Sequence, residues 1–352
     1  MKLTEARIHT LAVPLTEPYT IAYNTFDSVT MHFLVLTASD GLIGVGCAAP
    51  AEDVTGESAE DSRLALQNWV SLAPGHELAS LPSVPLERPS AAAAVDLALH
   101  DLEARRQGLT VGGLFGPAAA AEIPQETSIT IGISDVATTL GRAAALFEQG
   151  FRFFKVKGGH DVDMDLARLR ALRDRFGSEV RLALDANQGY LLPDVDRLEK
   201  ESHALDLCYL EQPTPKTDLA MLGEAARRTG IPVMADEAVQ RVEDVARIAE
   251  AGPVGLINIK LQKMGGLAPA AAIDRASRSF GMRTMLGCMD ESALSIAAAL
   301  HFGATHPNVA FLDLDGHFDL SSDPFAICVQ LDGKGGLATA SHPGLGWQIL
   351  PF

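Results

Sequence analysis

Positive charge is in short supply: 28 Lys and Arg stand against 45 Asp and Glu over 352 residues, a net charge of −17. Such a field repels phosphate, which argues against nucleic acid or an anionic membrane as partner. No stretch approaches the roughly 18 apolar residues of a membrane span. The opening MKLTEARIHTLAVPL carries acid and polar residues where a signal peptide needs an unbroken apolar segment. Cysteine is sparse as well. Cys47, Cys208, Cys288 and Cys328 lie far apart with no CxxC spacing, so they read as free thiols of a reducing compartment, and a cytoplasmic location is expected. What remains is 47% hydrophobic, with 31 glycines and 19 prolines. That suffices for a large core and excludes a disordered, collagenous or disulfide-built chain. The length suits two domains, or one barrel with an attachment.

The first part of the chain reads as α+β. Met31 to Ala38 is an apolar strand, Asp40-Gly41 a hairpin signal, and Leu42 to Cys47 the returning strand. Gly44-x-Gly46 falls within that strand with no helix start behind it, which assigns it to the hairpin rather than to a nucleotide loop. Helical patterns follow over Glu57 to Val70 and Ser90 to Gln107, the second with Ser90 as cap and Gly108 as stop. Gly116-Pro117, the alanines 118 to 121 and Pro124 mark a boundary. From about Thr127, short apolar strands alternate with longer amphipathic helices. The strands end near Thr130, Lys157, Asp185, Glu211, Asp236, Lys260, Leu286 and Asp313. With no dinucleotide fingerprint at the first turn, this repeat predicts a closed barrel of parallel βα units rather than an open sheet. A hairpin over Ala326 to Leu331 and Leu337 to Thr339 follows, placed to return to the N-terminal part.

Alternation along a strand sorts the polar residues. Phe153, Lys155 and Lys157 share one face, and Phe154 and Val156 the other; the same rule turns Asp185 and Asn187, Glu211, Asp236, and Asn258 and Lys260 into the barrel mouth. Three inward carboxylates on consecutive strands repel one another unless a cation is shared among them. A donor set of oxygen alone, without His or Cys, favours a hard divalent ion, most simply Mg²⁺. The bland alternative is three unrelated strand-end acids that cap helices or pair with arginines. Lys157 and Lys260 lie on strands two and six of eight, so they face each other across the pocket. That arrangement suits removal of a proton from one face of a carbon and its delivery to the other. It requires one lysine to be neutral, its pKa lowered by desolvation and nearby positive charge, which Lys155 and the metal supply. Lys263 reads as a solvated surface residue. An inward lysine also fits a Schiff-base aldolase, and the whole constellation could survive in a non-catalytic binding protein.

Lys155-x-Lys157, Asp185-Ala-Asn187, Glu211-Gln-Pro213, Ala235-Asp-Glu237 and Asn258-Ile-Lys260 together resemble the enolase superfamily in its muconate lactonizing subgroup. The resemblance implies a (β/α)₇β barrel over residues 125–320, an N-terminal α+β capping domain over 1–124, and a C-terminal segment over 321–352 that returns to it. It further implies Mg²⁺ on Asp185, Glu211 and Asp236, with Lys157 and Lys260 as acid/base catalysts. Asp313-Leu-Asp315 matches the motif by which dipeptide epimerases are thought to hold a substrate ammonium, and Gly287-Cys-Met289 with Glu291 resembles the same group. The expectation is therefore a dipeptide epimerase, an isomerase working on a small-molecule dipeptide as a homo-oligomer. Its substrate would be met by Lys155, Thr130, Asp313, Asp315, Asn24, Met289, Asp290 and Glu291. Cycloisomerase, N-acylamino acid racemase and o-succinylbenzoate synthase are the neighbouring alternatives. Asn24 stands where Ala-Glu epimerases carry an arginine, and residues 17–27 contain no Lys or Arg, which argues against an acidic side chain. Ile21, Tyr23 and Phe26 could line an apolar pocket, while Glu52, Asp53, Asp290 and Glu291 could draw a cationic one.

Overall fold

The computed structural model describes residues 1–20, 25–85, 87–116 and 126–352; the boundary segment expected at 117–124 lies outside them. Strands β1 (Leu3–Thr20), β2 (Thr25–Ala38) and β3 (Ile43–Ala48) form an antiparallel sheet in the order β1-β2-β3. The hairpin expected at Asp40-Gly41 joins the last two, with Gly41 at φ 86 and its N–H donating to Ala38 O at 2.9 Å. A helix over Ala59–Leu72 is opened by a capping box in which Ser58 and Asp61 exchange bonds. A longer helix spans Pro89–Gln107 and ends at Gly108, whose φ of 68 supplies the left-handed turn. Ser90 is not the cap. Arg88 takes that position and Pro89 the first turn, because the Ser90 N–H and hydroxyl both donate to the buried Glu57 carboxylate, at 2.7 and 2.5 Å. The long helix lies directly on β3: a Cβ on Gly46 would fall 1.9 Å from Ala94 O. The Gly44-x-Gly46 pair therefore serves close packing of helix on sheet.

Eight parallel strands follow: β4 (Ile129–Ile131), β5 (Phe153–Lys157), β6 (Arg181–Asp185), β7 (Leu207–Glu211), β8 (Val233–Ala235), β9 (Leu256–Lys260), β10 (Arg283–Gly287) and β11 (Val309–Asp313). Each pairs with the next in sequence order. The ring closes where Thr127 bridges Leu312 in parallel and Ser128 N–H donates to Leu312 O at 2.9 Å. It is the TIM-like barrel expected from the repeat. Inward positions Phe153, Ala183, Tyr209, Met234, Leu256 and Met285 fill its interior, whereas Phe154 and Val156 pack with the helix residues Leu166 and Leu169 outside.

Strands β12 (Val329–Leu331) and β13 (Leu337–Thr339) make the expected C-terminal hairpin. Beyond it the chain reaches the long helix, where buried Asp101 accepts from Val45 N–H (2.9 Å), Leu345 N–H (2.7 Å) and Trp347 Nε1–H (2.8 Å). All four cysteines are free. No helix among the described residues is long and apolar enough to cross a membrane.

Candidate active site

A cavity of about 600 Å³ lies between the carboxyl ends of the barrel strands and the N-terminal sheet. Its barrel wall includes Thr130, Lys155, Lys157, Asn187, Asp236, Glu237, Lys260, Met289, Asp290, Asp313 and Asp315. Its roof includes Glu17, Pro18, Ser28, Val29, Thr30 and the segment Pro50–Val54. Lys157 ends β5 and Lys260 ends β9, with three strands between them in either direction round the ring. The two amines therefore come from opposite walls.

Between them stand the acids, each held by a lysine. Lys157 Nζ donates to Asp185 Oδ2 at 2.8 Å, and Lys260 Nζ lies 2.9 Å from Asp236 Oδ2. Lys155, fully buried, has its Nζ 2.7 Å from Asp313 Oδ2, 2.8 Å from Glu211 Oε2 and 3.2 Å from Asp185 Oδ2. Asn258 Nδ2 fixes the other Glu211 oxygen at 2.7 Å. Among the described residues no three acid side chains converge on one point in ligating geometry, because ammonium groups stand between them. The acids nevertheless feel one another. Burial and the charge of Asp185 raise the Glu211 carboxyl, and burial and Asp236 raise Glu237, whereas burial of Asp185 is outweighed by Lys157 and Lys155, which hold its carboxyl low. Glu237 Oε2 is buried with no hydrogen-bond partner among the described residues, and Glu211 Oε2 has the Lys155 ammonium beside it at 2.8 Å but accepts no aligned hydrogen bond. This is an oxygen-only donor set with unspent acceptor capacity, on three adjacent strand ends, and it fits a hard divalent ion.

Among the protein's own charges, the buried lysines answer to the acids beside them. Desolvation pushes Lys260 down, but the Asp236 carboxylate beside it outweighs that and raises it; Lys155 is likewise raised by Asp313 and Glu211 against its own burial. Lys263 corrects the sequence reading. It is 2% exposed rather than solvated, because the single helical turn Leu261–Met264 folds it under the site. There its Nζ donates to Asp236 Oδ1 at 2.5 Å, to the Asp236 carbonyl, and to Asn258 O at 3.2 Å.

The two seam acids differ in their partners. Asp313 accepts from Lys155 and from Ser128 Oγ (2.5 Å), while Asp315 Oδ2 accepts the Thr130 N–H at 2.7 Å. Met289 and Asp290 line the cavity; Glu291 sits behind them, buried, with Oε1 accepting from Met289 N–H at 3.2 Å and its carboxyl pushed up to about 7 by burial. Asn24, Ile21 and Tyr23 lie outside the described residues, as does the side chain of Phe26. Three lining residues were given no role from the sequence, although Glu237 belongs to the Ala235-Asp-Glu237 motif. Glu237 follows a strand-end acid, and its Oε1 takes weak bonds from Asn187 (3.4 Å) and Gln188 (3.3 Å). Arg142 comes from the helix Val136–Glu148 and binds Glu17 across the cavity mouth at 2.8 Å. Asp319, just past β11, is pushed up to about 7 by burial and by the charges of Asp315 and Asp290.

Residues 3–116 match the mandelate racemase / muconate lactonizing enzyme N-terminal domain, and residues 139–351 the enolase C-terminal domain-like family. The chain belongs to the mandelate racemase / muconate lactonizing enzyme family. Members similar to it include the L-Lys-D/L-Arg epimerase of Desulforapulum autotrophicum, 37% identical over 98% of this chain and 99% of that one. The hydrophobic dipeptide epimerase of Enterococcus faecalis is 30% identical over the same shares. Among solved structures of this family, the dipeptide epimerase from Methylococcus capsulatus complexed with Mg and L-Arg-D-Lys superimposes with a TM-score of 0.90. It is 35% identical over 98% of this chain and 99% of that one.

Proposed function

We propose that this isomerase is an Mg²⁺-dependent dipeptide epimerase that inverts the Cα of the C-terminal residue by two-base proton transfer, with a preference for cationic side chains. The observation that carries the chemistry is the pair of amines, Lys157 and Lys260, reaching one cavity from opposite walls with carboxylates between them. One amine takes the Cα proton, leaving an enediolate, and the other returns a proton to the opposite face. Asp185, Glu211 and Asp236 would hold the ion in exchange for their lysine partners. When bound, Mg²⁺ supplies positive charge that offsets these carboxylates and the one next to the reacting carbon. Asp315, with Asp313 beside it, receives the substrate ammonium, and Thr130 N–H orients Asp315.

The cationic preference rests on the charge of the mouth. Glu17, Glu52, Asp53, Asp290 and Asp319 line the cavity, against Arg142 among the guanidinium groups, and a field of that sign draws Lys- and Arg-containing peptides. The relatives named for Lys and Arg, at 37 and 38% identity, support the same class. The test is deuterium uptake at Cα on incubating the Mg²⁺-loaded protein in D₂O with L,L-dipeptides of cationic, apolar and acidic composition. Uptake should be fastest with Lys- or Arg-containing peptides and be lost in EDTA. Fastest uptake with apolar peptides would overturn the preference, and no uptake with any class would overturn the reaction.

A further inference from the structure

We infer that Arg168 is a positioning residue for Lys157: through two backbone carbonyls it fixes the direction in which β5 delivers that amine into the cavity. Arg168 lies on the helix Val162–Phe176 that follows β5, and its side chain is fully buried beneath the site without lining the cavity. Nη1 donates to the carbonyl of Lys157 at 2.6 Å and Nη2 to that of Gly132 at 2.6 Å. Nε donates to Thr139 Oγ1 at 2.8 Å. One guanidinium thus ties the end of β5 to the chain leaving β4 and to the helix Val136–Glu148. Asp165, one turn earlier on the same helix, completes the clamp. Its Oδ1 lies 3.5 Å from Arg168 Nη1, and its Oδ2 accepts from Gly159 N–H (2.9 Å) and Tyr190 OH (2.7 Å). Gly158 is pressed on this carboxylate so closely that a Cβ there would fall 2.5 Å from Oδ2.

The turn Lys157-Gly158-Gly159 is therefore gripped at its first carbonyl and at its third N–H by one buried ion pair. Burying two charges is a poor way to add stability, since apolar side chains of similar volume often do as well. The pair supplies what apolar packing lacks, a rigid fork aimed at carbonyls at the strand ends. Lys157 reaches its target on a flexible four-carbon stem, so the angle at its Cα decides where Nζ arrives. A displacement of about 1 Å at a reacting group costs on the order of 10²-fold in rate. None of these bonds touches β9, so the effect falls on one base and spares Lys260.

That asymmetry is the test, and it rests on the epimerase reading above. Arg168→Lys and Arg168→Met are compared with the unmodified protein, all loaded with Mg²⁺. For each protein, Cα–H loss into D₂O is followed separately from the two epimers of a dipeptide that the unmodified enzyme turns over. Lys157→Ala serves as the reference that identifies which epimer gives its proton to Lys157. In both Arg168 variants exchange from that epimer should fall about 10²-fold, with exchange from the other epimer nearly unchanged. An equal fall for both epimers would mean general structural damage and would overturn the inference, as would no fall in either. Should Arg168→Met not fold, as judged by circular dichroism, Arg168→Lys decides by the same ratio. Failure of the unmodified enzyme to exchange either epimer would instead overturn the epimerase reading, and the inference with it.

Discussion

Asp313 and Asp315 share a strand end and a charge but not a task. Asp313 is engaged by Lys155 and Ser128, so its loss disturbs the lysine as well as any substrate cation. Asp315 faces the cavity with a backbone N–H as support. Steady-state kinetics on a cationic dipeptide should therefore separate the two. Asp315→Asn raises KM on the order of 10- to 100-fold, the value of about 1.5–3 kcal/mol for a charged hydrogen bond, with kcat little changed. Asp313→Asn lowers kcat as well. Lys263 offers a second expectation at this scale. Lys263→Met leaves Asp236 Oδ1 buried without its ammonium, and breaking one side of a buried pair costs about 3 kcal/mol, toward the low end because Lys260 remains beside Oδ2. Denaturant unfolding of the metal-free protein should show that loss.

Among the elements, the barrel strands were the most legible in the sequence. Five of the eight end at the expected residues, Lys157, Asp185, Glu211, Lys260 and Asp313, because an apolar run closed by a polar side chain is a local signal. β1 was not legible as a strand. Pro14 and Pro18 interrupt it, and its pairing with β2 shifts register between Pro14 and Tyr19. Lys263 and Arg168 were missed for another reason: both sit on helical segments, where a charged residue reads as solvated until the fold presses that face against a strand end. The glycines of β3 were seen, but their cause lies in a distant helix. Gly46→Ala should destabilise the protein by about 1–3 kcal/mol, the usual cost of overpacking, since the new methyl group meets Ala94 O and the backbone cannot yield as a side chain does. A thermal melt with the midpoint unchanged would contradict that contact.

For the molecule as a whole, acid sensitivity follows from burial. His301 lies on the helix Ala293–Gly303 and is 5% exposed, with Nε2 accepting or donating no hydrogen bond. Burial holds its pKa down at about 4, from 6.5. The unfolded chain therefore binds the proton more readily, so the neutral ring's contribution is fully present above pH 6.5 and is lost as pH falls toward 4, by up to about 3 kcal/mol. Because the buried carboxyls raised in the fold act with the opposite sign, the test is a difference: the stability of His301→Phe relative to the unmodified protein should rise as pH falls from 6.5 toward 4, and a difference that does not vary with pH would contradict the assignment.

The ring closure has a further meaning. Beside the backbone closure, side-chain bonds across the β4–β11 seam run through Ser128 and Asp313, and through Thr130 and Asp315, the same carboxylates proposed to receive the substrate ammonium. A change at this proposed amine anchor therefore also touches the barrel's joint. Evolutionary drift toward new ligands finds less resistance in the acidic rim overhead, at Glu17, Glu52 and Asp53, which can change hands without unstitching the vessel beneath.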